Sequence, residues 1–90
     1  MPEACKINHL DHIGIAVKDI EKAVEMFTNV FDIPPCEIEQ IDDQGVKATL
    51  IEVGQTRIEL LEPLSPDSPV GKFIQSRGEG LHHLALNVSD

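Results

Sequence analysis

The chain has 90 residues, with 16 acidic and 7 basic side chains, and its formal net charge of −9 argues against a protein that binds nucleic-acid phosphates through a basic face. The length fits one small domain or part of one, and with 3 Phe and no Trp or Tyr the core must be built from aliphatic side chains. No apolar segment approaches the roughly 20 residues that a membrane-spanning helix needs, and residues 1–7 do not have the pattern of a signal peptide. We therefore expect a soluble cytoplasmic protein with no membrane partner, in which the thiols of Cys5 and Cys36 are reduced.

A strand and then a helix are predicted for the first third of the chain. Apolar residues occupy alternate positions within residues 7–17, which predicts a half-buried strand. Asp19 stands where a helix N-cap would, and apolar residues then recur at helical spacing, so we predict a helix over residues 20–31. Pro34 and Pro35 should end it, because neither donates a backbone hydrogen bond.

Three short strands and a second helix are predicted next. CEIEQI, VKATLIEV and TRIELLE are rich in aliphatic and β-branched residues and are separated by the turn compositions DDQG and GQ, which predicts an antiparallel meander. A proline-dense segment, residues 63–69, follows the meander. Ser68 as N-cap and Pro69 as the first helical residue predict a short helix to about Arg77, closed by Gly78.

The chain contains an internal repeat. LDHIGIAVKD, residues 10–19, aligns without gaps with LHHLALNVSD, residues 81–90, so that His12 matches His83. The offset equals one strand, helix and meander plus a linker, which favours duplication of a whole supersecondary unit.

The repeat sets the expected domain organisation, a single partial domain over residues 1–90. Residues 1–78 should form one βαβββ module with its linker helix. Residues 79–90 should be the first strand of a second module, and the chain would then be truncated. An isolated second-module strand should leave its apolar face uncovered and favour self-association.

Two repeat-equivalent histidines and a glutamate are the candidate metal ligands. His12 and His83 lie on the strand faces opposite the aliphatic stripes, and Glu59 projects the same way if those stripes define one core. Such a set suits a divalent ion such as Zn, Co, Mn or Fe. Each residue alone is more often an ordinary surface side chain, and only their convergence favours a site. By strand parity, His9 and His82 should point to the opposite face and take no part.

Residues 42–45, DDQG, are predicted first as a hairpin turn. A catalytic carboxylate at Asp43 is the less favoured interpretation of the same segment on residue patterns alone.

LDHIGIAVKD, TRIELLEPLSPDSP and GLHHLAL, in this order over nearly the whole chain, resemble the vicinal oxygen chelate superfamily, which includes the glyoxalases and bleomycin resistance proteins. Within it they are most similar to the methylmalonyl-CoA epimerase family. The resemblance implies an α+β fold of paired βαβββ modules, cupped around one divalent ion such as Co, Mn, Zn or Ni. It implies His12, Glu59 and His83 as metal ligands, with a fourth ligand, a Glu, beyond Asp90.

The resemblance also implies an activity, the interconversion of (2R)- and (2S)-methylmalonyl-CoA through a metal-stabilised enolate. Asp43 would stand where the family usually has a Glu base, and the second base would lie beyond Asp90. The expected partners are an acyl-CoA substrate and a second subunit in a homodimer. The alternatives are a glyoxalase-type lyase or ring-cleaving dioxygenase, a metal-free protein that sequesters small molecules, and a 90-residue chain that is itself inactive.

Overall fold

The computed structural model describes residues 6–34 and 36–89. Five strands and two helices make a small α+β fold, as predicted, in which both helices begin and end where the sequence places them. The elements in chain order are β1 (Ile7–Ala16), α1 (Ile20–Phe31), β2 (Glu39–Ile41), a 3₁₀ turn (Asp42–Gln44), β3 (Val46–Val53), β4 (Thr56–Pro63), α2 (Pro69–Arg77) and β5 (Gly80–Val88). Cys5, Pro35 and Asp90, which the sequence singled out, lie outside the described residues.

The five strands form one sheet in the order β2-β3-β4-β1-β5. The meander β2-β3-β4 is antiparallel, as predicted, and its last strand pairs in parallel with β1. β5 then pairs antiparallel with the other edge of β1. β1 therefore has a neighbour on each side, and side chains from three strands can meet above it.

Side-chain caps define the first turn of both helices. The Asp19 carboxylate accepts from the Lys22 amide at 3.1 Å, and the Ser68 hydroxyl accepts from the Gly71 amide at 3.1 Å. The Glu62 carboxylate also accepts from the amide of Ile20, at 3.0 Å, and this bond holds the start of α1 to β4. Each contact satisfies an amide that the helix itself leaves unpaired.

The helices lie against different parts of the sheet. α1 covers one face through a buried cluster of Val17, Ile20, Val24, Ile51 and Leu60. A second cluster on the opposite face joins α2 to the sheet and contains Ala16, Val46, Ala48, Leu61 and Val70. Burial of these aliphatic side chains is the main stabilising contribution, at about 25 cal/mol per Å² of apolar surface.

The start of β2 and the end of α1 differ in detail from the prediction. The first strand of the meander is shorter than CEIEQI, because pairing with β3 begins only at Glu39. Residues 42–45 form the predicted hairpin turn between β2 and β3, as a 3₁₀ turn over Asp42–Gln44 that Gly45 closes with a left-handed φ of 65°. The α1 helix ends at Phe31, and the next residue, Asp32, adopts a left-handed φ of 55°. The chain therefore leaves the helical conformation before it reaches Pro34.

β5 lies at the edge of the sheet with much of its apolar face exposed. Its aliphatic side chains Leu81, Leu84, Leu86 and Val88 are 47% to 57% exposed. The register pairs Leu84 with Ile13 and Leu81 with Ile15, so these side chains lie on the α1 face, beyond the reach of that helix. Within residues 6–34 and 36–89, neither helix is long and apolar enough to cross a bilayer.

Candidate metal centre

Three candidate ligand atoms from three strands converge on the α2 side of the sheet. His12 Nε2 on β1 lies 3.2 Å from His83 Nε2 on β5, and His83 Nε2 lies 3.5 Å from a Glu59 carboxylate oxygen on β4. One ligand atom from each of the three residues lies within 4.8 Å of the others. The structure thus brings together the residues that the sequence selected, while their role as ligands stays a prediction.

Strand register explains this convergence, and Gly14 is its centre. Gly14 pairs with Glu59 on β4 and with His83 on β5, so these two residues flank it across the sheet. His12 is two residues away along β1 and therefore projects from the same face. The small residue leaves room for the imidazole of His83 above the strand.

Two β-bulges change which side chains reach the site. On β1, Leu10 pairs with Leu86 and His12 with Ala85, which leaves Asp11 without a partner. On β5, the partners of Gly14 and Ile15 are His83 and Leu81, which leaves His82 without one. In a bulge two residues oppose one on the partner strand, so simple alternation fails.

The prediction that His9 and His82 point away from the site is therefore wrong. His82 Nδ1 lies 2.9 Å from His83 Nδ1, on the site face. The register pairs His9 with Asn87, which has the same parity on β5 as His83, so His9 also belongs to this face. His9 is nevertheless outside the three-residue cluster.

A second set of contacts surrounds the two candidate ligand histidines. His12 Nδ1–H donates to the Asp11 carboxylate at 2.8 Å, and Arg57 donates to the same carboxylate oxygen at 2.8 Å. Hydrogen bonds from His12 and then from Arg57 lower the pKa of Asp11 below its ordinary value, so that this carboxyl group stays ionised. On the other side, the ring of Phe73 packs edge-on against His82, with the ring centroids 4.9 Å apart.

The donor set fits a divalent metal ion. With its Nδ1–H directed at Asp11, His12 presents the lone pair of Nε2 to the centre of the cluster. That lone pair, the Nε2 atom of His83 and the Glu59 carboxylate face one another, so either a hydrogen on His83 Nε2 or a cation can lie between them. Two imidazoles and one carboxylate are common ligands of borderline divalent ions, and three protein ligands leave positions open for substrate.

A cavity of about 480 Å³ opens beside the cluster. Glu59, His82 and His83 line one part of it, and Asp43 in the 3₁₀ turn lines another. Asp43 is exposed and lines the same cavity as the cluster. Its catalytic role stays a prediction. A larger cavity of about 530 Å³ runs along β2 and β3 and is also lined by Glu59.

Sequence reasoning missed Asp11 and His82, although a signal for them was present. They occupy equivalent positions in the repeat, each directly before a candidate ligand histidine. Period-two alternation assigned His82 to the other face and would place Asp11 there too, because nothing in the pattern marks a bulge.

Comparison with known proteins gives a family match. A family model of the Glyoxalase/Bleomycin resistance protein/Dioxygenase superfamily matches residues 11–90. The chain is 42% identical over 80 residues to the uncharacterized protein YqjC of Bacillus subtilis, covering 89% of this chain and 57% of that protein. It is 34% identical over 86 residues to the mitochondrial methylmalonyl-CoA epimerase of Mus musculus, covering 94% and 48%. It is also 34% identical over 85 residues to the ethylmalonyl-CoA/methylmalonyl-CoA epimerase of Cereibacter sphaeroides, covering 93% and 63%.

Solved structures share the fold. A hypothetical protein of Bacillus halodurans superposes with a TM-score of 0.81 at 46% identity, over 90% of this chain and 59% of that one. The methylmalonyl-CoA epimerase of Mycobacterium tuberculosis gives 0.82 at 36% identity, over 100% and 61%. A methylmalonyl-CoA epimerase in complex with methylmalonyl-CoA and NH4+ gives 0.83 at 33% identity, over 94% and 63%. The chain spans about half the length of the curated relatives it matches, from 48% to 63% of each one described.

Proposed function

Because the chain belongs to the Glyoxalase/Bleomycin resistance protein/Dioxygenase superfamily, we propose that it carries metal-binding and catalytic residues of a methylmalonyl-CoA epimerase. The observation that supports this most directly is the convergence of His12, Glu59 and His83 on the three adjacent strands β1, β4 and β5. The chain superposes on epimerase structures with TM-scores of 0.82 and 0.83. The reaction would interconvert (2R)- and (2S)-methylmalonyl-CoA.

His12, Glu59 and His83 would hold the divalent ion, which we expect to be Co, Mn, Zn or Ni. When bound, such an ion supplies Lewis-acid stabilisation for oxygen atoms on which negative charge develops after the C2 proton is lost. Glu59 and His83 line the cavity that Asp43 also lines, so an ion held by the three ligands would lie beside the same space. We propose that the thioester end of the substrate would bind in this cavity, which both the candidate ligands and the 3₁₀ turn line.

Asp43 is the candidate for one of two proton-transfer groups. An epimerase of this kind removes the proton from C2 on one face and returns a proton on the other, which requires two groups on opposite sides of the carbon. Asp43 lines the same cavity as Glu59 and His83, from a different element of the chain. Its carboxylate would hold or take the proton on its own side of the substrate.

Further proposals concern the assembly. We propose that residues 79–90 begin a second module, as the repeat predicts, and that the acyl-CoA substrate binds between the two modules. The exposed apolar face of β5 supports pairing with another surface, and a homodimer is the expected assembly. A cytoplasmic location stays a prediction.

The test uses the protein expressed from its complete gene and incubated with (2R)-methylmalonyl-CoA in deuterated water. We expect deuterium to enter C2 as the stereochemistry scrambles, and we expect chelation of divalent ions to stop both events together. Glu59→Ala should abolish both, whereas His9→Ala, which alters a residue outside the cluster, should leave both intact. A protein that binds metal but neither exchanges the C2 proton nor scrambles the centre would contradict the epimerase, and a glyoxalase-type lyase would then be tested.

A further inference from the structure

Each candidate ligand histidine directly follows a bulged residue. Asp11 is left unpaired on β1 immediately before His12, and His82 is left unpaired on β5 immediately before His83. Asp11 and His82 occupy the same position in the two copies of the repeat, although they differ in chemical type. The same local geometry therefore occurs twice at one site.

The bulges place these side chains where a regular strand would not. Neighbouring residues of a regular strand point to opposite faces of the sheet, so Asp11 and His12 would be separated by the backbone. The extra residue in each bulge turns both side chains toward one face. As a result, Asp11 and His82 each reach the Nδ1 atom of the histidine that follows, at 2.8 Å and 2.9 Å.

The contact at Nδ1 decides which ring nitrogen can bind a metal. A neutral imidazole carries one proton, so a hydrogen bond from Nδ1–H leaves the lone pair on Nε2. For both His12 and His83, Nε2 is the atom that faces the cluster. An acceptor at Nδ1 therefore holds each ring in its metal-binding tautomer and orientation.

We propose that Asp11 and His82 are positioning residues, which accept the Nδ1–H of His12 and His83 and thereby direct both Nε2 atoms at the metal. The proposal rests on the metal site assigned above and extends it to two residues outside the ligand set. Arg57 donates to the same Asp11 carboxylate oxygen and so holds the acceptor against His12. His82 accepts through its own Nδ1, so its proton lies on Nε2 when His83 binds the metal.

A first experiment reads the tautomer of His12 without metal. Two-bond proton–nitrogen correlation spectra of the ¹⁵N-labelled protein, recorded at a pH where the imidazoles are neutral, should show His12 protonated at Nδ1. In Asp11→Ala the proton should move to Nε2, the site preferred by a free imidazole, while Asp19→Ala should leave the pattern unchanged. Asp19 is a suitable control because its carboxylate caps α1 and lies outside the cluster.

A second experiment measures Co²⁺ affinity by isothermal titration calorimetry. Asp11→Ala and His82→Ala should each weaken binding about 10- to 100-fold, the usual cost of losing such a partner. His82→Asn should restore most of the affinity, because its amide oxygen can accept from His83 although the ring that contacts Phe73 is gone. Asp11→Asn should recover part of it, since it keeps an acceptor but loses the charge. Asp19→Ala should cost stability and leave affinity unchanged.

The outcomes separate this inference from the proposed function. If wild-type protein binds Co²⁺ and neither Asp11→Ala nor His82→Ala weakens the binding, the positioning role is wrong and the metal site stands. The role of His82 is also wrong if His82→Asn binds as weakly as His82→Ala. If wild-type protein binds no Co²⁺ while Asp11→Ala still shifts the His12 tautomer, the metal site fails and the positioning of His12 by Asp11 is confirmed.

Discussion

The imidazole ring of His83 lies across Gly14, the residue paired with it on the neighbouring strand. A Cβ atom at Gly14 would overlap the ring, because the space that a side chain would occupy is taken by the imidazole. The same glycine pairs with Glu59 on its other side. The missing side chain at Gly14 therefore allows the candidate ligand His83 on β5 to approach the candidate ligand Glu59 on β4.

Gly14→Ala should displace His83 and weaken metal binding at least tenfold. The φ of Gly14 lies outside the positive range, so the added methyl group acts through its contact with the ring. Overpacking of this kind costs about 1 to 3 kcal/mol in the free energy of unfolding. Calorimetric titration with Co²⁺ and thermal unfolding measure the two effects.

Gly54→Ala is the matched control for this change. Gly54 lies in the β3-β4 turn with φ of 60° and no heavy atom near its Cβ position. An alanine there adds strain of about 1 to 2 kcal/mol but touches nothing. Equal loss of metal affinity in both variants would show that the effect at Gly14 is one of general stability.

Removal of any predicted ligand should abolish tight metal binding. His12→Ala, His83→Ala and Glu59→Ala each delete one of three converging donor atoms. Wild-type binding should also weaken as the solution is acidified, because protons compete with the metal for ring nitrogens. Titration calorimetry at several pH values measures both effects. Retention of full affinity in any of the three variants would remove that residue from the ligand set.

Asp43→Asn should lower kcat by on the order of 10²-fold or more if Asp43 transfers a proton, because the amide cannot act as a base. Asp42→Asn is a close control, since Asp42 lies in the same 3₁₀ turn and its carboxylate accepts from the Gln40 amide at 2.8 Å. Rates of C2 deuterium exchange measure the chemical step directly. If both variants keep the wild-type exchange rate, Asp43 is a turn residue only.

The exposed apolar face of β5 should cause the chain to self-associate. Leu84 and Leu86 are 54% and 47% exposed on an edge strand, where unpaired backbone groups also favour pairing with a second copy. Light scattering over a range of concentrations should show a dimer or larger species, and Leu84→Lys combined with Leu86→Glu should shift it toward monomer. Val30→Lys is the control, because Val30 is 65% exposed on α1. A wild-type chain that stays monomeric at high concentration would contradict this prediction.

The helices and the meander could be predicted because their signals are local. Asp19 and Ser68 cap their helices as the sequence indicates, and apolar spacing gave the bounds of α1. The DDQG and GQ segments separate strands that are neighbours in the chain, so their pairing follows from short loops. The repeat then selected His12 and His83, and strand parity selected Glu59.

Strand alternation failed for His9 and His82, and it gave no indication that Asp11 contacts His12. A bulge is a property of two paired strands, and β1 and β5 are separated by more than sixty residues in the chain. Which residue is left unpaired depends on the register of hydrogen bonding between the two strands. The residue pattern along one strand therefore cannot show it.

The sequence by itself determined the residue types of the candidate site and the elements that carry them. Only the tertiary structure decided that β1 lies between β4 and β5, so that Gly14 separates Glu59 from His83 by the width of one strand. Neighbouring strands are about 4.8 Å apart, and side chains from both can therefore reach a single ion above the strand between them. The spacing between strands comes from backbone hydrogen bonds. The pairing of strands that are remote in sequence is not encoded by any local pattern.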